Sequence, residues 1–147
     1  MSGGQGAQVR LVLVSGTLVT GRRFVGKASS GHGIVVDGGS EKLGCSPMEL
    51  VLIGMAGCTA YDVVGILQKK RQSVTSLEVQ ARAERAPEPP QVFTRIEIEY
   101  VVRGQELSAK ALEDAIRLSK DKYCSASIML GKTAEITTSY RIEEDQE

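Results

Sequence analysis

Apolar residues first come in short bursts. Over residues 8–37, runs rich in Val and Leu are broken at Gly16, Gly21, Gly26, Gly31 and Gly33. Short apolar segments joined by turn residues predict strands, and three antiparallel ones fit this span. A polar loop at 38–44 leads to a long segment that is apolar nearly all round until Gln68. Its start is marked three ways: Ser46 suits an N-cap, Pro47 the first helical position, and Glu49 completes a capping box. The basic cluster Lys69-Lys70-Arg71 complements the negative end of a helix reaching about Lys70. A helix apolar on all faces is expected to be buried on every side. The period then changes to two. Apolar and polar residues alternate over 77–83 and again at Ile96, Ile98, Tyr100 and Val102, predicting two strands around the loop Pro87-Glu88-Pro89-Pro90. Ser108 is expected to cap a second helix with the inner face Leu112, Ala115, Ile116 and Ser119, ending near Lys122. A short third helix fits 125–130 before Gly131, and a last strand alternates Ala134, Ile136, Thr138, Tyr140 and Ile142. The order βββ-α-ββ-αα-β predicts an α+β fold rather than a wound parallel sheet. One domain is expected over 8–142, between a disordered tail at 1–7 and a solvated acidic tail at 143–147.

Composition narrows the function. A chain of 147 residues can bury a core without disulfides or metals. Its 18 basic and 18 acidic residues give a formal net charge of zero, without the basic surplus that tracks a phosphate backbone, so nucleic acid is not expected as a partner. The longest unbroken apolar stretch, residues 50–58, falls short of the roughly 20 needed to span a bilayer, and no membrane is expected either. The segment Met1-Ser2-Gly3-Gly4-Gln5-Gly6-Ala7 has neither a basic n-region nor an apolar h-region, so the cytosol is the expected compartment. Three cysteines without a Cys-x-x-Cys spacing, and the single histidine His32, argue against a disulfide scaffold and against a metal site. In a reducing compartment a cysteine pair that does oxidise is redox-active rather than structural.

Two cysteines stand out. Cys58 sits in Gly57-Cys58-Thr59-Ala60, where small neighbours leave its sulfur accessible; a small core hydrophobe is the other reading of a helical cysteine. Cys124 follows the second helix, beside Lys120 and Lys122, a setting that lowers a thiol pKa. The two are 66 positions apart, and spacing alone does not establish that they meet. Asp62 lies one helical turn after Cys58, on its face, and if buried it is expected to bond to a strand or partner group rather than to act in catalysis. Gly54 and Gly57 each cost about 1 kcal/mol inside a helix, which close approach of a second backbone would explain.

Three stretches, Ser46-Pro47-Met48-Glu49-Leu50, Gly57-Cys58-Thr59-Ala60-Tyr61-Asp62-Val63-Val64 and Lys122-Tyr123-Cys124-Ser125, resemble the marks of the OsmC/Ohr family. The resemblance extends over about residues 26–142, and the Ser-Pro-Met-Glu start is similar to that of the YhfA-like branch. It implies a cysteine-based peroxidase that reduces organic hydroperoxides in oxidative stress defence, with Cys58 as the peroxide-reacting thiolate and Cys124 as the thiol that resolves it. It further implies an intertwined homodimer with the central helices inside, a dithiol reductant such as a lipoyl protein, and no cofactor. In the peroxidases of the family a Glu directly follows the proline, ten residues before the reactive cysteine. That position is Met48 here. Glu49, nine residues before Cys58, is half a turn away on a straight helix, which suits a capping role and leaves it a secondary site candidate. The family's Arg comes from the N-terminal strands, where Arg22 and Arg23 are available. His32, in a turn, would assist a thiolate if folded over it. Cys45 matches no family cysteine and is read as incidental. The alternative to a peroxidase is a stress-response protein of the same fold that binds a small electrophile or apolar ligand without turnover; a structural dimer with inert cysteines is the third reading.

Overall fold

The computed structural model describes residues 7–13 and 22–145. They form two compact units, one up to Val51 and one from Leu52 onward. The first holds strands β1 (Val9–Leu13), β2 (Arg23–Ala28) and β3 (Gly33–Asp37) in an antiparallel sheet of that order. These are the three strands expected. Gly31 turns the chain between β2 and β3 at φ 93°, a conformation that excludes most side chains. After β3, Cys45 bridges to Val36, and a Cβ on Gly44 would stand 2.6 Å from the Val35 carbonyl oxygen, so this return fits only glycine. Buried Asp37 ties the unit together: its carboxylate accepts from Arg23 Nε at 3.1 Å and from the Gly39 and Leu43 amides at 2.9 and 3.2 Å. The expected tail at 1–7 lies outside the described residues except for Ala7, as do Gly16 and Gly21.

Helix α1 (Pro47–Lys69) begins with the predicted capping box. The Ser46 amide donates to Glu49 Oε1 at 2.9 Å, and the Glu49 amide donates to Ser46 Oγ at 3.3 Å. The expectation that α1 is buried on every side is not met within the chain. Only the stripe Met55, Thr59, Val63 and Leu67, spaced by four, is fully covered, while Ile53 and Tyr61 are 56% and 87% exposed. A sheet covers one side of a helix, and one sheet is what the second unit supplies. Apart from the backbone of α1 itself, no atom of the described residues lies within 4 Å of a Cβ placed on Gly54, Gly57 or Gly65, so among them the close backbone approach expected of Gly54 and Gly57 is not made. The helix, unlike its longest unbroken apolar stretch, is long and apolar enough to cross a bilayer, with a mean hydropathy of 1.9 over an 18-residue window. Its buried stripe instead meets the sheet of the second unit, where Thr59 bonds to Tyr100.

That sheet consists of β4 (Ser73–Arg85), β5 (Phe93–Gln105) and β6 (Glu135–Glu144), in this order. The long hairpin β4–β5 is antiparallel, while β6 runs parallel to β5. A parallel neighbour requires a crossover. It consists of α2 (Ala109–Leu118), a π-helical turn (Ser119–Tyr123) and α3 (Ser125–Leu130). The second helix thus leaves α geometry four residues before its expected end at Lys122. The wider turn lets the Cys124 amide reach back to the Ser119 carbonyl at 2.7 Å. Ile96, Ile98, Tyr100 and Val102 of β5 join Leu112, Ala115 and Ile116 of α2 in the core. The acidic tail starts later than expected: Glu143 and Glu144 belong to β6, and Glu143 accepts from Arg103 Nε at 2.8 Å. The architecture is α+β, as the element order predicts.

Candidate active site

The second unit brings Cys58 and Cys124 together. Cys58 lies on α1 and is half-buried; Cys124, fully buried, ends the π-helical turn as the N-cap of α3. Their sulfurs and a carboxylate oxygen of Asp62 all lie within 4.8 Å of one another. Cys124 Sγ accepts from the Ser127 amide at 3.3 Å and from the Ser127 hydroxyl at 3.0 Å. Burial pushes the Cys124 thiol pKa up, the Ser127 donors pull it back, and the neighbouring Cys58 sulfur raises it further. This corrects the expectation that Lys120 and Lys122 lower it. The Lys122 ammonium instead sits 5.1 Å from the centre of the Tyr123 ring, and desolvation governs the sulfur.

Beneath the thiols runs a chain of hydroxyls that the sequence reading missed. Ser119 Oγ donates to Asp62 Oδ2 at 3.0 Å, Thr59 Oγ1 lies 2.8 Å from Ser119 Oγ, and Tyr100 Oη lies 2.7 Å from Thr59 Oγ1. Each hydroxyl has a single proton. Because that of Ser119 goes to Asp62, Thr59 donates to Ser119, and Tyr100 donates to Thr59. The three hydroxyl residues are fully buried, and burial holds the Tyr100 phenol above its usual pKa. Asp62, half-buried, is bonded as expected, but to the π-helical turn rather than to a strand. A signal existed in the sequence: Thr59 and Ser119 are polar residues on otherwise apolar helix faces, and a buried hydroxyl needs a partner. Beside Asp62 opens a cleft of about 450 Å³ lined by Tyr61, Gly65, Ile66, Leu118 and Tyr123.

The remaining candidates are engaged elsewhere or exposed. Glu49 is held in the capping box, and its hydrogen bonds from Ser46 keep its pKa below the usual carboxylate value. Arg23 is bound by Asp37 and by Glu41, whose Oε2 accepts from Nη2 at 2.6 Å. Arg22 and His32 are exposed. Cys45 lies in the first unit, as a free, half-buried thiol.

Known proteins resemble this chain in sequence and fold. The family model for OsmC-like proteins matches residues 38–139. Protein YhfA of Escherichia coli strain K12 is 46% identical over 124 residues, 84% of this chain and 92% of its own length. The crystal structure of a hypothetical protein from Aquifex aeolicus VF5 superimposes with a TM-score of 0.84 at 31% identity, covering 97% of this chain and 100% of the other. The organic hydroperoxide resistance protein OhrB of Bacillus subtilis shares the fold, with a TM-score of 0.61 at 15% identity and coverage of 93% and 98%. The chain belongs to the OsmC-like family.

Proposed function

We propose that the protein is a thiol-dependent peroxidase that reduces organic hydroperoxides, with Cys58 as the attacking and Cys124 as the resolving residue. The observation that carries this reading is the pairing of a half-buried with a fully buried cysteine at 4.8 Å or less, from positions 66 residues apart. The Cys58 thiolate attacks the distal peroxide oxygen. The O–O bond breaks, the alcohol leaves with a proton, and Cys58 becomes a sulfenic acid. The Cys124 sulfur displaces its hydroxyl as water, and an external dithiol, oxidised in turn to its own disulfide, regenerates both thiols. The apolar lining of the cleft beside Asp62 suits an alkyl substituent, and the reductant fits a reducing compartment such as the cytosol. We further propose a homodimer, supported by exposed Ile53 and Tyr61 and by the open glycine positions of α1.

Glu49 and Arg23, committed to Ser46 and to Asp37 and Glu41, favour the second reading, a binding protein for a small electrophile or apolar ligand without turnover. One equivalent of an alkyl hydroperoxide followed by non-reducing peptide mapping separates the two. A Cys58–Cys124 disulfide, and its loss with peroxide consumption in Cys58→Ser, is the result expected. Thiols left reduced, or Cys58 linked to Cys45, would refute the peroxidase reading.

A further inference from the structure

We propose that the reduced site is also a Zn²⁺ site, with Cys58, Asp62 and Cys124 as its three protein ligands. Cys58 and Asp62 are four residues apart on α1, the spacing that sets two ligands on one face of a helix, and Cys124 closes the triad from the start of α3. Tetrahedral Zn²⁺ with bonds of about 2.3 Å to sulfur holds its donors roughly 3.8 Å apart. The three donor atoms already stand within 4.8 Å of one another, so closure by less than about 1 Å completes the geometry. The surrounding bonds aim these donors. Ser119 holds one oxygen of Asp62, and the Ser127 amide and hydroxyl hold the sulfur of Cys124. Such outer contacts fix the orientation of ligands around a metal. Two thiolates and a carboxylate form a donor set for a soft, tetrahedral cation rather than for Mg²⁺ or Ca²⁺. The sequence conceals the site because only the fold brings Cys124 to the Cys58–Asp62 pair.

Binding displaces one proton from each thiol and involves no change of oxidation state. It asks only for reduced cysteines and stands apart from turnover; its coupling to peroxide rests on the function proposed above. The same two sulfurs cannot both ligate Zn²⁺ and form a disulfide. A bound ion therefore shields Cys58 from peroxide, and oxidation by peroxide releases the ion.

The test is titration of the reduced full-length protein with Zn²⁺ against a chromogenic chelator, with Co²⁺ as a spectroscopic probe. One equivalent per chain is expected, with thiolate-to-cobalt charge-transfer bands and the visible spectrum of tetrahedral Co²⁺. Cys58→Ala should abolish the charge-transfer signature of a two-thiolate site, and Asp62→Asn, which can still accept from Ser119, should weaken affinity at least about tenfold. Cys45→Ser should bind as the parent does. Absence of a saturable equivalent, undiminished binding in Cys58→Ala and Asp62→Asn, or loss in Cys45→Ser would overturn the proposal. A disulfide formed by peroxide in a protein that takes no Zn²⁺ would leave the peroxidase reading standing alone, and tight Zn²⁺ binding by a protein inert to peroxide would do the reverse.

Discussion

Substituting Thr59 by Val tests the direction of the buried hydroxyl chain. The swap is close to isosteric, so little packing changes, but two contacts go: the 2.7 Å contact with Tyr100 and the 2.8 Å contact with Ser119. If Tyr100 donates to Thr59, its phenolic proton is left without an acceptor at a position with no solvent exposure. An orphaned buried donor costs about 1–3 kcal/mol and the lost bond to Ser119 about 0.5–1.5, giving roughly 2–4 kcal/mol in all. Tyr100→Phe removes the donor itself, and Thr59 keeps its bond to Ser119, so about 1 kcal/mol is expected. The double variant has no orphan and should cost less than the sum of the two by at least about 1 kcal/mol. Urea unfolding at fixed protein concentration reads these differences; at a slope of about 2 kcal/mol/M, Thr59→Val should lower the midpoint by about 1–2 M. Additive single effects, or a Thr59→Val protein as stable as the parent, would refute the donor order and the claim that the chain is satisfied as a unit.

Other outcomes follow from the same structure. Cys124 and Tyr100 both have raised pKa values when folded, so their contribution to stability is complete below the unfolded values, near 8.5 and 10, and is lost as pH rises through the folded ones; denaturant midpoints should fall above about pH 8.5. Ser46→Ala removes the hydroxyl that caps α1 and should cost about 1 kcal/mol by urea unfolding, whereas Glu49→Gln, still able to accept from the Ser46 amide, should cost less and leave the peroxide reactivity of Cys58 unchanged. Gly104→Ala places a methyl group into the Ser73 carbonyl where β4 and β5 pair, and should destabilise by more than the roughly 1 kcal/mol of an average substitution, read as a lowered thermal midpoint.

Local chemistry was legible in the chain and tertiary pairing was not. The Ser46–Glu49 box, the third helix at Ser125–Leu130 and the inward side of β5 are each decided within a few residues, by a cap, a glycine stop or a period of two. The exposed side of α1 is a different matter. Apolarity on every face says that cover is wanted, and the single sheet of the second unit gives it to one stripe. Ser119 points inward as its spacing from Ile116 predicts, though from the π-helical turn, but its partners come from α1, 57 and 60 residues earlier, so its role as the link between Thr59 and Asp62 could not be read from its neighbours. The setting of Cys124 misled for a related reason. Two lysines nearby in sequence suggest a lowered pKa, and burial, a property of the fold, outweighs them.

The contrast between the two cysteines has a chemical consequence for the proposed cycle. A reactive thiol must be reachable, and a resolving thiol is better protected, since a sulfur that met peroxide first would carry the oxidation into the wrong position. Half-burial of Cys58 and full burial of Cys124 match the roles proposed for them. Three influences act on the Cys124 proton: desolvation and the neighbouring Cys58 sulfur hold it on, and the two donors of Ser127 favour its loss. Oxidation of Cys58 to a sulfenic acid places an electrophilic sulfur beside Cys124 while leaving the Ser127 donors in place. Those donors stabilise a thiolate at Cys124 against burial, next to its target, the sulfenic sulfur. In the proposed cycle the resolving sulfur thus stays buried until its target forms within 4.8 Å of it.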